Sequence, residues 1–231
     1  MFSRLSIDPT GNKTLEVIHE LHRQGVRNYA VLMRHADRPL ESAGNDLTRQ
    51  ISEEGRRAAY TFGQSLPCDG PKRFFSSPID RCVETASLIE EGCRSRGGDT
   101  TPNTPLDDLF AFFVRDVARA DGLLYQALGE GDPYRFFRSW FNGEYPPEMI
   151  DDASLAARAQ LDVLFDLLQA PPAGNICVSH DINLFLIKEY YLGLRPEDHE
   201  YIQFLEGVVV YEWQDDYYIV NHQTSARKLS V

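Results

Sequence analysis

An apolar run that ends abruptly on charged residues constrains this 231-residue chain more than any other feature. Residues 29–33 read Tyr-Ala-Val-Leu-Met, and Arg34-His35-Ala36-Asp37-Arg38 follows directly. The apolar run predicts a buried strand. Because arginine is almost never fully buried without a partner, two arginines that flank a histidine at a strand end need an anion between them. The pattern indicates a phosphate or sulfate site that contains a reactive imidazole.

Two later apolar segments end on polar residues in the same way. Residues 73–76 predict a short second strand, and the helix predicted over residues 79–94 carries Arg81 near its start. Residues 175–179 predict another buried strand, which stops at His180-Asp181. Each of the three strands therefore delivers polar or cationic side chains close to its carboxyl end.

Predicted helices separate these strands along the chain. The spacing of apolar residues predicts helices over residues 14–24, from Ser52 to about residue 66, and over 154–169 and 182–192. Residues 207–213 and 217–221 predict a terminal hairpin. Strands that alternate with helices are typical of a three-layer α/β/α sandwich with a mostly parallel central sheet. We therefore expect one α/β domain over residues 1–231.

The predicted strand ends converge if the strands are parallel neighbours, because ligands of such sheets bind outside the carboxyl ends. The groups brought together are His35, His180, Asp181, Arg34, Arg38 and Arg81. Guanidinium forks pair with phosphate oxygens, and their charge favours a neutral, nucleophilic imidazole nearby. Since no group of carboxylates has the spacing of a metal site, we expect no metal or other cofactor.

The overall charge of the chain narrows the class of partner. The formal net charge is −12 and the isoelectric point is about 4.9, which argues against a nucleic-acid partner because proteins that bind nucleic acids need a basic face.

No apolar run approaches the ~20 residues that span a bilayer, and the first residues lack a signal-peptide pattern. The expectation is a cytoplasmic protein that binds a small phosphorylated substrate, with its oligomeric state left open. The four cysteines show no CxxC spacing, so we expect free thiols.

The middle of the chain, residues 106–150, is irregular and rich in aromatic residues. Such a segment is typical of an insertion with its own small core. The alternative is a cap whose rings cover the site, and the sequence alone leaves both interpretations open. We expect any substrate specificity to come from this segment.

Four segments between residues 31 and 181 match the motifs of one enzyme family in order. They are Arg34-His35-Ala36, residues 47–58 beginning Leu47-Thr48 and including Gly55, Ser76-Ser77-Pro78-Ile79-Asp80-Arg81-Cys82-Val83-Glu84-Thr85-Ala86, and Ser179-His180. The chain resembles the histidine phosphatase superfamily, to which phosphoglycerate mutases and acid phosphatases belong. The resemblance implies a phosphoglycerate mutase-like fold. Ala36 departs from the family's Arg-His-Gly, which matters where the backbone needs a positive φ or a close approach to the ligand.

The resemblance also implies roles for individual residues. His35 would accept the phosphoryl group and become phosphohistidine, while Arg34, Arg81 and His180 would hold the phosphoryl oxygens. Arg38 resembles a second arginine of the acid-phosphatase branch.

The proton donor has two candidates. Acid phosphatases place an aspartate directly after the second histidine, which is Asp181 here. Phosphoglycerate mutases take a glutamate from the segment after the second strand and helix, and Asp108 occupies the corresponding stretch of this chain.

Three functions are compatible with this pattern. The first is a metal-independent phosphatase that hydrolyses phosphomonoesters through phosphohistidine. The second is a phosphoglycerate mutase-like phosphotransferase, which must return the phosphoryl group before water attacks it. The third is a phosphate-ligand sensor or scaffold without turnover. The full set of expected catalytic residues argues against this function, and Ala36 is the only feature in its favour.

Overall fold

A mixed seven-stranded sheet forms the centre of the computed structural model, which describes residues 10–39, 49–132, 134–199 and 201–230. The order of the strands is β3-β2-β4-β1-β5-β6-β7. They span β1 Tyr29–Arg34, β2 Lys72–Ser76, β3 Thr104–Pro105, β4 Gly174–Ser179, β5 Gly207–Trp213, β6 Asp216–Val220 and β7 Arg227–Lys228. The predicted strands and the terminal hairpin are confirmed.

One half of the sheet is parallel and the other half is antiparallel. β1 pairs in parallel with β4, β4 with β2, and β2 with β3. β5 returns antiparallel to β1, and β6 and β7 continue this antiparallel half. The parallel register places Arg34 opposite Ser179 and Ser76 opposite Val178, so the carboxyl ends of β1, β2 and β4 lie side by side.

Helices cover both faces of the sheet. They span α1 Asn12–Arg23, α2 Glu53–Gln64, α3 Asp80–Ser95, α4 Val117–Gly129, α5 Arg135–Phe141, α6 Ala153–Gln169 and α7 Asp181–Ile187. Alternate residues of β1 point to opposite faces: Val31 and Met33 belong to the core with α1, α2 and α3, whereas Ala30 and Leu32 belong to the core with α6 and α7. The predicted three-layer arrangement is confirmed.

Local sequence explains where α2 begins. The Ser52 hydroxyl accepts a hydrogen bond from the Gly55 amide at 2.9 Å, and two glutamates occupy the first turn, as expected of a capped helix. A Cβ atom on Gly55 would lie 2.4 Å from the Asp37 carbonyl oxygen. Only glycine allows this approach of α2 to the segment after β1. Leu47 and Thr48, from the same motif, lie outside the described residues.

The aromatic segment 106–150 contains α4 and α5 and packs its largest rings inward. Phe137 lies against Phe185 of α7 with 4.3 Å between ring centroids, and Phe113 stacks on Trp140 at 5.1 Å. These rings belong to the same core as α6 and α7. Most of the segment's aromatic content is therefore structural, and a role for the segment as a cap stays a prediction.

Two further expectations concern cysteines and membranes. All four cysteines are free thiols, and only Cys68 is exposed. Within the described ranges, every helix is too short or too polar to cross a bilayer.

Candidate active site

The ends of β1 and β4 bring two histidines close together. His35 follows β1 directly and His180 follows β4, and their ring centroids lie 5.9 Å apart at an interplanar angle of 69°. The backbone extends the sheet here, since the His35 amide donates to the Ser179 carbonyl at 3.0 Å. Both side chains are buried. Segments 145 positions apart in the sequence therefore form one site, as the strand-end argument predicts.

The hydrogen bond made by His35 determines which of its nitrogens can react. Nδ1 lies 2.8 Å from the Ala36 carbonyl oxygen, which can only accept, so Nδ1 carries the proton and Nε2 keeps its lone pair when the ring is neutral. Burial, followed by the positive charges of Arg34 and Arg81, lowers the pKa of His35 well below its usual range. His35 is therefore a neutral imidazole with a free Nε2 lone pair at ordinary pH.

His180 has the opposite tautomer. Arg81 Nη2 lies 3.2 Å from His180 Nδ1, and because a guanidinium only donates, Nδ1 accepts this hydrogen bond. The His180 Nε2–H group then donates to the Ser77 hydroxyl at 3.0 Å. Cys82 Sγ lies 3.6 Å from the same nitrogen, and burial raises the pKa of this thiol to about 12. Cys82 stays protonated and acts as packing beside His180.

Arg34 is fixed in place by three groups. Its Nη1 donates to the Ile202 carbonyl at 2.6 Å, its Nη2 lies 3.1 Å from Asp181 Oδ2, and its guanidinium carbon lies 4.2 Å from the Phe204 ring centroid. The last contact has the geometry of a cation–π interaction. Only 8% of Arg34 is exposed. A buried guanidinium held in this way is preorganised for an anion.

Arg81 and Arg38 complete the cationic groups at this edge. Arg81 is buried at the start of α3 and reaches His180. Arg38 is half-buried beyond the end of β1, and its charge lowers the pKa of Asp181. The structure thus brings all three predicted arginines to the site.

Asp181 is an ionised partner of Arg34. Its Oδ2 also accepts a hydrogen bond from the Tyr201 hydroxyl at 3.1 Å, and its Oδ1 accepts one from the Ile182 amide at 3.0 Å. Burial raises the pKa of Asp181, but the charges of Arg34, His180 and Arg38 and the Tyr201 hydrogen bond outweigh it, so the pKa lies below the usual value. A carboxylate held in this form releases no proton at neutral pH.

Asp108 is connected to the site through the two residues that follow it. It is exposed in a single 3-10 turn, Asp107–Leu109, directly after β3. The end of this turn is anchored to β4, because the Ser179 hydroxyl donates to the Leu109 carbonyl at 2.7 Å. The next residue, Phe110, has its ring centroid 5.6 Å from that of His180. Among the described residues, none holds Asp108 in an ion pair.

Ala36 fits the backbone without strain. It is fully buried, its amide donates to the Thr85 hydroxyl at 3.1 Å, and it is not among the described non-glycine residues with positive φ. The glycine of the Arg-His-Gly motif that this segment resembles is therefore not required by the backbone of this chain.

The part of the chain that the structure describes contains no cluster of side chains suited to a metal ion. No cluster of three or more histidine, cysteine, aspartate or glutamate side chains is arranged there to hold a cation. The positive charge at this site comes from its arginines.

Comparison with known proteins agrees with this geometry. A model of the histidine phosphatase superfamily, branch 1, matches residues 30–224. The chain belongs to the histidine phosphatase superfamily. No curated protein sequence matches it significantly.

Solved structures of similar proteins share the fold of this histidine phosphatase at low sequence identity. YhfR from Bacillus stearothermophilus superposes with a TM-score of 0.60 at 17% identity, over 84% of this chain and 95% of YhfR. A phosphoglycerate mutase from Bacillus anthracis gives 0.53 at 15% identity, over 86% and 95% of the two chains. A mycobacterial glucosyl-3-phosphoglycerate phosphatase solved with VO3 gives 0.56 at 16% identity, over 79% and 92%.

The segment 201–206 contributes groups to the site that the sequence did not reveal. Ile202 and Phe204 hold Arg34, and Tyr201 donates to Asp181. The segment has no regular structure and lies outside the matched motifs, so neither periodicity nor spacing could have identified it. Thr85 and Ser77 stand within a matched motif, which was the available signal for their roles.

Proposed function

We propose that this histidine phosphatase hydrolyses phosphomonoesters through a phosphohistidine on His35. The observation that carries the proposal is the hydrogen bond from His35 Nδ1–H to the Ala36 carbonyl, which leaves the lone pair on Nε2. The depressed pKa of His35 keeps that nitrogen unprotonated. A neutral imidazole in a pocket of arginines is a competent nucleophile for phosphorus.

The reaction divides into two steps. In the first, His35 Nε2 attacks phosphorus, the bond from phosphorus to the leaving oxygen breaks, and the leaving alcohol takes a proton from a carboxylic acid. In the second, the resulting carboxylate takes a proton from water as the water oxygen attacks the phosphohistidine. The bond from phosphorus to Nε2 breaks, inorganic phosphate leaves, and Nε2 regains its lone pair.

Positive charge stabilises the phosphoryl oxygens in both steps. Arg34 and Arg81 are buried beside the two imidazoles, and Arg38 adds charge near Asp181. Fixed cations of this kind neutralise the charge that spreads over the equatorial oxygens. His180 Nε2–H is the remaining donor, and binding of the anion exchanges its contact with Ser77 for one with a phosphoryl oxygen.

We assign the general acid to Asp108 rather than Asp181. The supporting argument is electrostatic: Asp181 is paired with Arg34 and has a lowered pKa, so it is a poor proton donor. Asp108 stands in the exposed turn that precedes Phe110, whose ring contacts His180. Asp181 then orients Arg34. The segment that carries Asp108 is also the one from which phosphoglycerate mutases take their acid.

Hydrolysis is favoured over mutase activity by the charges at the rim. A phosphoglycerate carries a carboxylate besides its phosphate and needs a further cation. The exposed turn beside His180 presents Asp107 and Asp108 instead. We therefore infer a small substrate with one phosphate group, and we propose that residues 106–150 form the wall that selects it.

A screen of phosphorylated metabolites tests this function. Phosphate release is measured for each compound with and without a chelator, for the natural chain and for His35→Ala. Hydrolysis that survives chelation and disappears in His35→Ala supports the proposal. His19→Ala, on the exposed face of α1, is the matched control and keeps full activity. Phosphate release by His35→Ala at the natural rate would reject the mechanism.

A further inference from the structure

A buried ion pair lies behind Arg34, on the side of the 201–206 segment. Lys188 Nζ donates to Glu206 Oε1 at 2.6 Å, and the two side chains are only 3% and 5% exposed. Lys188 begins the π-helical turn Lys188–Leu192 that continues α7, and Glu206 directly precedes β5. Since α7 begins at Asp181, the same helical stretch carries one partner of Arg34 and one member of the ion pair.

Glu206 connects this ion pair to the groups that hold Arg34. Its Oε2 accepts a hydrogen bond from the Gln203 amide at 2.8 Å, and its backbone carbonyl accepts one from the Arg34 amide at 2.9 Å. Gln203 stands between Ile202 and Phe204, both of which contact the Arg34 guanidinium. The carboxylate therefore fixes the part of the segment from which Arg34 is held.

The 201–206 segment needs such a fixed point. Leu205 has a φ of 56°, in the left-handed region that a leucine rarely adopts. Its carbonyl accepts a hydrogen bond from the Thr14 hydroxyl of α1 at 2.9 Å. Strained backbone of this kind persists only where its surroundings hold it, and it is concentrated at functional sites.

Stability alone is a weak reason for this ion pair. Removing two charges from water costs about as much as their attraction returns, so an apolar pair of similar volume is often equally stable. π-helical turns inside α-helices are also frequent at functional sites. Both facts favour a positioning role.

We propose that Lys188 and Glu206 are positioning residues for phosphate binding: they hold the 201–206 segment so that Ile202 and Phe204 orient Arg34. The proposal rests on the proposed function, because it assigns Arg34 to the phosphoryl group. It adds two buried residues, on α7's continuation and before β5, that touch no substrate and yet set the affinity for phosphate.

Two variants test the proposal. Glu206→Gln keeps the shape of the side chain, but its single carbonyl oxygen can accept from Lys188 or from Gln203 and not from both in the original geometry. The double variant Lys188→Met/Glu206→Met removes both charges and retains similar volume. The pair Glu90→Met/Arg94→Met is the matched control, since this ion pair on α3 lies away from the site.

The measurements are the inhibition constant of inorganic phosphate, the KM and kcat for an aryl phosphate, and the Tm of each variant. We expect the inhibition constant and KM to rise together, about tenfold or more in the double variant and less in Glu206→Gln, because small misplacements of a binding group cost up to about a hundredfold. The control pair changes Tm only. The proposal is overturned if both variants fold and if each has the inhibition constant for phosphate, the KM and the kcat of the natural chain.

The outcome also separates this inference from the proposed function. If the natural chain binds inorganic phosphate but hydrolyses no ester, the proposed function fails, and the phosphate affinities of the variants still test the positioning role. If the double variant does not fold, Glu206→Gln decides alone: natural phosphate affinity overturns the proposal, and affinity weakened by severalfold at an unchanged Tm supports it.

Discussion

The strand-end cluster, which comprises Arg34, His35 and His180, differs from the aromatic segment 106–150 in how the chain holds its functional groups. In the cluster, Arg34, His35 and His180 are buried and fixed by backbone carbonyls or by neighbouring charged side chains. In the segment, the buried rings form core, and Asp108, which we propose as the proton donor, stands exposed in a single turn.

The difference indicates that the two regions meet different requirements. Groups that must keep one charge state and one orientation are placed at the ends of central strands, where low solvent exposure enforces both. The group that we propose to meet the leaving alcohol is placed on an exposed turn, where the chain can change without disturbing the sheet. Substitutions in the two regions should therefore have different consequences.

Replacing His35 has the largest expected effect. His35→Ala removes the proposed nucleophile, so we expect hydrolysis of an aryl phosphate to fall by on the order of 10⁴-fold or more, with the fold retained. The measurement is phosphate release together with circular dichroism. Phe112→Ala, which removes a ring that is 40% exposed on the aromatic segment, should retain activity within about threefold of the natural chain. Comparable losses in both variants would contradict the contrast.

The two aspartates are expected to differ in their dependence on the leaving group. Asp108→Asn removes the proposed acid, so an alkyl phosphate should slow by about 10²–10⁴-fold, whereas an aryl phosphate, whose leaving group needs little protonation, should slow far less. Asp181→Asn loosens Arg34 and should raise KM for both substrates alike. Initial rates with the two ester types decide the matter. A loss confined to alkyl esters in Asp181→Asn would return the acid role to Asp181.

The aromatic segment is expected to matter first for stability. Phe137 is 2% exposed and packs on Phe185, so Phe137→Ala should lower the free energy of unfolding by about 3–5 kcal/mol. The protein that remains folded should keep its kcat/KM. Urea unfolding and activity at low temperature measure the two quantities. A stable variant with lost activity would place this ring in the site instead of the core.

The pH dependence of stability has the smallest expected effect. The folded state holds the pKa of His35 below its unfolded value of about 6.5, so the unfolded chain binds more protons between the two pKa values. The free energy of unfolding therefore falls as pH decreases below about 6.5, by up to about 1.4 kcal/mol per pH unit for this residue.

Substituting His35 isolates that contribution. Urea unfolding at pH 6.5 and 5.5 should show a shallower slope for His35→Asn than for the natural chain, since His22 and His222, whose pKa values burial also lowers, remain in both. Phe112→Ala, which removes no titrating group, is the control and should keep the natural slope. An identical slope in His35→Asn would show that His35 titrates normally in the folded protein.

The sequence was sufficient for the strand ends and insufficient for what supports them. Arg34, His35, Arg81 and His180 could be brought together in advance because each follows an apolar strand or opens the next helix. The antiparallel half of the sheet could be anticipated only as a hairpin, because strand order is set by packing between distant segments.

The support for Arg34, and the ion pair on which we base the choice of acid, required coordinates. Asp181 follows the second histidine as in acid phosphatases, and Asp108 lies in the stretch from which phosphoglycerate mutases take a glutamate. The ion pair of Asp181 with Arg34 is our reason for proposing Asp108. Lys188 and Glu206 lie 18 residues apart in stretches without a motif. Their contact depends on the path of the chain from α7 to β5, and no local sequence pattern predicts that path.

Trapping the covalent intermediate would show whether His35 is the nucleophile. The enzyme is mixed with a substrate labelled in its phosphoryl group, quenched in alkali, and digested for mass spectrometry. We expect one phosphoryl group on His35 Nε2, stable in alkali and lost in acid, and no phosphoryl group on His35→Ala. A phosphoryl group on His180, or turnover with no labelled protein at any time, would contradict it.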